Sequence, residues 1–315
     1  MESRDLNAAA VRRILDGLDL APGEPCFVAR ASTCEVWRAG TSGGPVAVRL
    51  LAPRPGKPGN VDADIALRRR LLAAAPSLPL ARPIADHRGR PDLTIGTPWA
   101  VDRWIDGDPA DGDTDDAVWR DLGRLLAVLH AVPVADHGRI LVGERGLCGR
   151  RDDAITGIAD RFEAPWPFDG QPLAGHPVAE AAPELTARLV RLAPAIRAAA
   201  AAPPVIAHTD LNGANVRHAD GRLRGLIDFA DATVLAPAWD FASLRYFQGA
   251  AAVAQALEGY TADPQRAAGL AADAALLALV VALHHVSRAR TLDLPARRET
   301  ALARLRLGLD AIGAD

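Results

Sequence analysis

Apolar positions recur along this chain at two different periods, and the change from one to the other divides it into regions. Val11, Ile14, Leu15 and Leu18 recur at three- and four-residue spacing, which predicts an amphipathic helix packed on the body. Residues 24–51 then change to short β-prone runs at 27–29, 35–39 and 46–51, with the turn Thr41-Ser42-Gly43-Gly44 before the third. A Pro- and Gly-rich break at 53–59 leads into a helix expected near 62–75, and further strands are expected at 82–86 and 93–104. From Ala117 the helical period takes over, across 117–130, 183–201 and 262–312. The intervening 131–180, richer in Gly, Pro and aromatic residues, reads as loops and short helices. One later hairpin is marked by Asp220-Gly221, a two-residue turn signal flanked by 216–219 and 222–227.

Strands in the first third and helices in the rest give an α+β class: a small N-terminal sheet lobe before a larger, mainly helical C-terminal lobe. We place the boundary after residue 105, so that 1–105 and 106–315 are the two parts. A cleft between two such lobes is a natural ligand site.

Bulk properties narrow the function. A chain of 315 residues is long for one core and comfortable for two. A formal net charge of −3 argues against broad electrostatic binding to nucleic acid or an anionic membrane. Cys26, Cys34 and Cys148 form no CxxC pair, which fits free thiols in a reducing compartment. The N-terminus carries charges throughout and lacks the apolar core of a secretory signal. The most apolar stretch, 274–286, is too short to span a bilayer and reads as a buried core helix. The expectation is a soluble cytoplasmic protein, monomer or homodimer.

The segment richest in chemistry is His208-Thr209-Asp210-Leu211-Asn212-Gly213-Ala214-Asn215-Val216, followed by Leu226-Ile227-Asp228-Phe229-Ala230-Asp231. Folding the chain at Asp220-Gly221 sets residue 215 opposite 226, so Asn215 and Asp228 reach the same open end of the hairpin, with Asp210 in the loop just before it. Phosphoryl transfer needs such a set. A carboxylate must take or orient the hydroxyl proton, and hard oxygen ligands must hold Mg²⁺ against the phosphates. Asp210 suits the first role, Asn215 and Asp228 the second, and His208 braces the loop. Asp and Asn are also ordinary turn residues; what argues for a site is their joint spacing.

These residues resemble the catalytic loop and metal-binding strand of the aminoglycoside phosphotransferase family, relatives of protein kinases. The family's H-x-D-x-x-x-x-N pattern falls on His208, Asp210 and Asn215, its I-D-x-x-D pattern on Ile227, Asp228 and Asp231, and a Pro-x-x-Asp on Pro237 and Asp240. The usual Gly-Asp before that proline is replaced by Leu235-Ala236. The resemblance implies a two-lobed, protein-kinase-like fold that binds Mg²⁺ and ATP or GTP. Val46-Ala47-Val48-Arg49 resembles the V-A-I-K strand, with Ala47 facing the base and Arg49 the phosphates, arginine standing where protein kinases carry lysine. Its acidic partner is sought in Asp62 or Asp64, Asp64 being favoured by its distance to the next strand. Ser32 and Thr33 lie in the phosphate-covering loop, and backbone groups near Arg103, Trp104 and Ile105 in the hinge that meets the purine.

The function expected is O-phosphorylation of a small molecule, with an aminoglycoside or similar antibiotic as leading acceptor and antibiotic resistance as the implied role. Asp106, Asp108, Asp111, Asp113, Asp115, Asp116 and Asp121 suggest a cationic acceptor, although Thr114-Asp115-Asp116 also reads as an ordinary helix cap. His284 and His285 read as core histidines before pocket residues. Two alternatives remain: a metabolic kinase for choline, homoserine, a sugar or a natural-product intermediate, and a catalytically inactive binding module. A protein kinase proper is disfavoured, since no A-P-E-like segment follows Asp228.

Overall fold

The computed structural model describes residues 2–20, 23–30, 34–51, 61–143 and 146–313. They form two compact units: the chain up to Gly107 with Arg224–Ala230, and Asp108–Leu223 with the chain from Asp231 onward.

In the first unit, α1 (Glu2–Gly17) precedes the strands β1 (Cys26–Arg30), β2 (Cys34–Ala39) and β3 (Val46–Leu51). α2 (Val61–Ala74), β4 (Pro83–Asp86) and β5 (Trp99–Arg103) follow. The strands make an antiparallel sheet in the order β1-β2-β3-β5-β4. Alternation along β3 decides what each face carries. Val46, Val48 and Leu50 pack with Trp37, Trp99, Val101 and the α1 residues Val11, Ile14 and Leu15. Leu51, on the other face, packs with Val61 and Ile65 of α2. Ala47 and Arg49 share that α2 side. The strand expected over 93–104 begins only at Trp99, because Pro98 has no N–H for the ladder and Gly96 turns at φ +82°.

The second unit opens with β6 (Asp108–Pro109) and α3 (Asp116–His130). Next come β7 (His137–Gly143), β8 (Gly146–Arg151), α4 (Ala154–Arg161), α5 (Pro177–Ala181), α6 (Thr186–Ala199) and β9 (Val205–Ala207). The hairpin β10 (Val216–Ala219) and β11 (Arg222–Leu226) follows, with the chain passing into the first unit within β11, and β12 (Thr233–Leu235) lies back in the second. α7 (Ala238–Tyr260), α8 (Pro264–Thr291) and α9 (Pro295–Ile312) complete it. Its sheets run β11-β10-β6 and β8-β7-β12-β9. β7 and β8 correct the expectation of loops and short helices over 131–180: only Ile140-Leu141-Val142 is strongly β-prone there, and surrounding glycines hide the pair.

The 274–286 run lies inside a helix of 28 residues, α8, whose most apolar 18-residue window has mean hydropathy 1.9, long and apolar enough by length and composition to cross a membrane. Leu277, Leu279, Val280, Val281, Leu283 and Val286 are nonetheless buried, and α8 packs on α7 and α9 as a core helix of this unit.

α3 and α7 approach closely through two glycines. A Cβ on Gly123 would lie 1.8 Å from the Ala256 carbonyl oxygen, and one on Gly259 2.0 Å from that of Arg120. Backbone cannot yield as a side-chain tip does. Gly123→Ala is therefore expected to destabilise the protein by about 1–3 kcal/mol, read as a lower urea midpoint at unchanged m-value.

Candidate active site

The first unit holds a buried square of alternating charge. Arg49 Nη1 lies 2.6 Å from Asp64 Oδ2 and its Nη2 2.9 Å from Asp102 Oδ2. On the far side Arg68 donates to both Asp64 oxygens, at 2.7 and 3.0 Å, and to Asp102 Oδ1 at 2.8 Å. Asp64, Arg68 and Asp102 are all buried. Local geometry explains the assembly: Asp64 and Arg68 share a face of α2 one turn apart, and Asp102 on β5 pairs with Ala47 in the strand beside Arg49. Burial pushes the Asp64 carboxyl up, but the Arg49 and Arg68 guanidiniums more than offset this and hold it near 2. Burial works against the Arg49 charge, yet Asp102, Asp64 and Asp228 raise its pKa. Arg49 Nε has no hydrogen-bond partner among the described residues, and Nη2, although ion-paired with Asp102, does not meet hydrogen-bond geometry toward it. Donors of this kind, on a planar guanidinium, suit phosphate oxygens.

Asp228, just after β11, has a left-handed backbone, φ +64°. Its charge acts on Arg49 and on Cys34, whose thiol is pushed up to about 11, chiefly by burial. In the hinge, Arg103 and Trp104 donate their backbone N–H groups to the carbonyls of Arg82 (2.8 Å) and Pro45 (3.1 Å). Their N–H groups are spent, which narrows the expectation for this segment to their carbonyls and to Ile105. Ser32 and Thr33 lie outside the described residues.

In the second unit the loop after β9 carries Asp210. Thr209 has φ +61°, unfavourable for a β-branched residue, and the surroundings fix it there. Asp240 accepts from the backbone N–H of His208 (3.0 Å) and of Thr209 (2.7 Å). Arg161 donates to the Thr209 hydroxyl (2.7 Å) and carbonyl (2.9 Å), and that hydroxyl donates to the Asp231 carbonyl (2.8 Å). Ser243 Oγ accepts from Leu211 N–H at 2.9 Å. Behind Asp240 stands His130, Nε2 at 2.9 Å from its carboxylate and Nδ1 at 3.0 Å from the Tyr260 hydroxyl. Burial raises the Asp240 pKa, but the His130 hydrogen bond, the charges of His130 and His208 and the Thr209 N–H bring it below the usual carboxylate range.

At the loop's tip, His208 Nδ1 accepts from Asp210 N–H at 3.3 Å. Asn215 Nδ2 donates to the Asp210 carbonyl (2.8 Å) and to its carboxylate Oδ2 (3.1 Å). Asp210 Oδ1 keeps its lone pairs free among the described residues. With its amide nitrogen spent, Asn215 presents its carbonyl oxygen, and Asp228 supplies a carboxylate. These are hard donors of the type Mg²⁺ takes. Among the described residues no three His, Cys, Asp or Glu side chains gather as a metal cage.

The other features singled out in the sequence fall as follows. Asp115 stands at the N-cap of α3, but its side chain makes no capping hydrogen bond, which corrects that expectation. Asp113, Asp115 and Asp116 line an open hollow of about 570 Å³ with Gly221, while Asp121 is paired with Arg222 at 2.7 Å. His284 is buried, its Nδ1 accepting from Glu163 N–H at 2.8 Å. Arg68, Asp102, Arg161, Ser243 and His130 went unread, though Arg68 follows Asp64 at helical spacing.

The fold defines the class as a kinase-like phosphotransferase with a hydroxyl group as acceptor. The chain belongs to the phosphotransferase enzyme family, that of the aminoglycoside phosphotransferases, whose model matches residues 29–270. No curated protein matches it. Among solved structures it is similar to aminoglycoside phosphotransferase APH(4)-Ia in ternary complex with AMP-PNP and hygromycin B: 15% identity, 96% of this chain and 99% of that one, TM-score 0.69. It is also similar to the GDP complex of aminoglycoside 2'-phosphotransferase-IIIa, at 16% identity, 96% and 97% coverage and TM-score 0.63. A third is macrolide 2'-phosphotransferase MphH from Brachybacterium faecium, at 21% identity, 95% and 97% coverage and TM-score 0.52. At these identities the likeness is one of fold.

Proposed function

We propose that this chain moves the terminal phosphoryl group of ATP or GTP onto a hydroxyl of a small molecule, with Asp210 as the group that receives the hydroxyl proton. The observation that carries this reading is the state of Asp210: one carboxylate oxygen fixed by Asn215, the other open, on a loop clamped by Asp240, Ser243 and Arg161. A general base needs that combination of positioning and free lone pairs. As the acceptor oxygen attacks the γ-phosphorus in line, its proton passes to Asp210 and the bond to the β,γ-bridging oxygen breaks. Arg49, held by Asp64 and Asp102, brings its charge and its unbonded Nε–H to the phosphate oxygens. Ala47 leaves room for the base, and Ile105 N–H with the Arg103 carbonyl meets its edge. Asn215 and Asp228 offer the oxygens that would hold Mg²⁺, which when bound would neutralise phosphate charge.

Of the relatives named above, the two aminoglycoside enzymes are in complex with AMP-PNP or GDP, and the third is a macrolide enzyme. They support a nucleotide co-substrate and an antibiotic-like acceptor, and they leave the acceptor's charge to be decided by this chain's own pocket.

The test is nucleotide consumption by purified protein with Mg²⁺, using ATP and GTP in turn, across aminoglycosides, macrolides, hydroxylated aromatic acids and metabolite alcohols. We expect release of nucleoside diphosphate that depends on one acceptor class and is lost in Asp210→Ala. Absence of nucleotide binding would overturn the reading.

A further inference from the structure

The first turns of α7 anchor the catalytic loop, through Asp240 and Ser243. The next turn presents Tyr246, Phe247 and Gln248 to a cavity of about 300 Å³, completed by Leu279 of α8 and by Arg304 and Leu307 of α9. That volume suits one flat ring system with a short substituent. At the same place α7 is broken: Gly249 takes φ 89°, ψ −177°, a conformation open only to glycine. A break there interrupts the helical ladder at the cavity's edge. The cavity also adjoins the reaction loop. A Cβ on Gly213 would lie 3.0 Å from Gln248 Nε2, and Gly213 stands three residues beyond Asp210.

Its electrostatics run opposite to what a polyamine needs. No Asp or Glu lines it. The Arg304 guanidinium lies 4.6 Å from the Tyr246 ring centroid and 5.7 Å from that of Phe247, and no carboxylate pairs with it among the described residues. Arg245 on the rim is likewise without an acidic partner among them. Tyr246 is pinned from behind by His285, stacked at 4.6 Å and 6°. Burial and the charges of Arg161, Arg288, Arg304 and Arg297 push the His285 pKa down to about 3, so the ring is neutral and the neighbourhood cationic. A half-buried guanidinium with no counter-ion is an incomplete arrangement that a ligand carboxylate would complete, through two parallel hydrogen bonds. The aromatic and aliphatic walls would take the ring.

We propose that this cavity is the acceptor subsite and selects a flat aromatic ring bearing a carboxylate, set against Phe247, Leu279 and Leu307 with its anion on Arg304, in preference to a polycationic aminoglycoside. The inference rests on the phosphotransferase reading and gives it an acceptor class. A matched pair of probes tests it: 6-(hydroxymethyl)-2-naphthoic acid and 6-(aminomethyl)-2-naphthalenemethanol share ring and hydroxyl arm and differ in charge. Binding is measured by titration calorimetry on the full chain without nucleotide, and turnover by diphosphate release with Mg-ATP. The wild type is expected to bind the acid about tenfold or more tighter than the amine, as one desolvated charge pair allows. Arg304→Gln is expected to bring that ratio near unity and Arg304→Glu to invert it, with thermal unfolding confirming that both variants fold. Equal binding of the two probes, binding of neither, or a preference that survives Arg304→Glu overturns the proposal. If the kinase reading were the one at fault, charge-selective binding would remain while no acceptor released diphosphate.

Discussion

Asp210→Ala is expected to lower kcat by about 10³-fold while leaving nucleotide affinity and thermal unfolding almost unchanged. The reason lies in how the residue is held. Its side chain accepts one hydrogen bond, from Asn215, so truncation strips the fold of little. The loop's unfavourable backbone at Thr209 is maintained by Asp240, Arg161 and Ser243, none of which leans on the Asp210 carboxylate. Asp210→Asn keeps the shape and loses the basicity, and should fall by a similar factor. A pair of variants that both turn over within about tenfold of wild type would show that Asp210 positions substrate at most, since general bases contribute more than that. Steady-state diphosphate release, with nucleotide binding measured separately, decides.

The second large effect concerns stability. Asp64→Ala leaves the Arg49 and Arg68 guanidiniums sharing Asp102, with Asp228 acting on Arg49 besides, in a largely buried region. Breaking a buried pair by removing one partner costs about 3–5 kcal/mol, because the survivor stays buried and uncompensated. We expect a loss of that order in urea unfolding, and weakened nucleotide binding because Arg49 is no longer held. Adding Arg68→Met to Asp64→Ala removes one charge of each sign and should recover part of the loss, a non-additivity the double-mutant cycle reads directly. The pH dependence has a defined sign. The folded pKa of Asp64, about 2, lies below its ordinary 3.8, so its contribution is present above about pH 4 and fades as pH falls toward 2. Asp64→Ala should lack that part of the acid limb; an unchanged acid profile would show that the quartet is not what holds the sheet and α2 together.

What the sequence disclosed and what it concealed divide along a physical line. The grouping of His208, Asp210 and Asn215 on one loop was legible because local turns set their spacing, and local geometry survives in a one-dimensional pattern. Arg49 was legible for a similar reason, from the alternation of its strand. Asp102 was not, because its partnership with Arg49 depends on β3 lying beside β5, a pairing of distant segments. Arg68 could have been found from its position one turn after Asp64, had a buried i,i+4 ion pair been weighed instead of a solvated one. The β7–β8 hairpin was obscured because glycines carry no propensity to announce a strand, and its register comes from pairing with β12. Arg304 and Tyr246 meet only because α7 and α9 pack on the same central helix, and nothing in either segment alone signals the pocket.

The chain visits the first unit a second time for only seven residues, Arg224–Ala230, and returns. During that visit Leu226 donates its backbone N–H to the Pro79 carbonyl at 3.0 Å, and a Cβ on Gly225 would lie 2.2 Å from the Ile105 side chain. A fragment ending at residue 107 would therefore lack a piece of its own body, Asp228 included. Exchange of one unit between relatives by a single crossover would leave a chimaera with mismatched parts in both halves. Swapping one half of the gene would part Arg224–Ala230 from the body it completes.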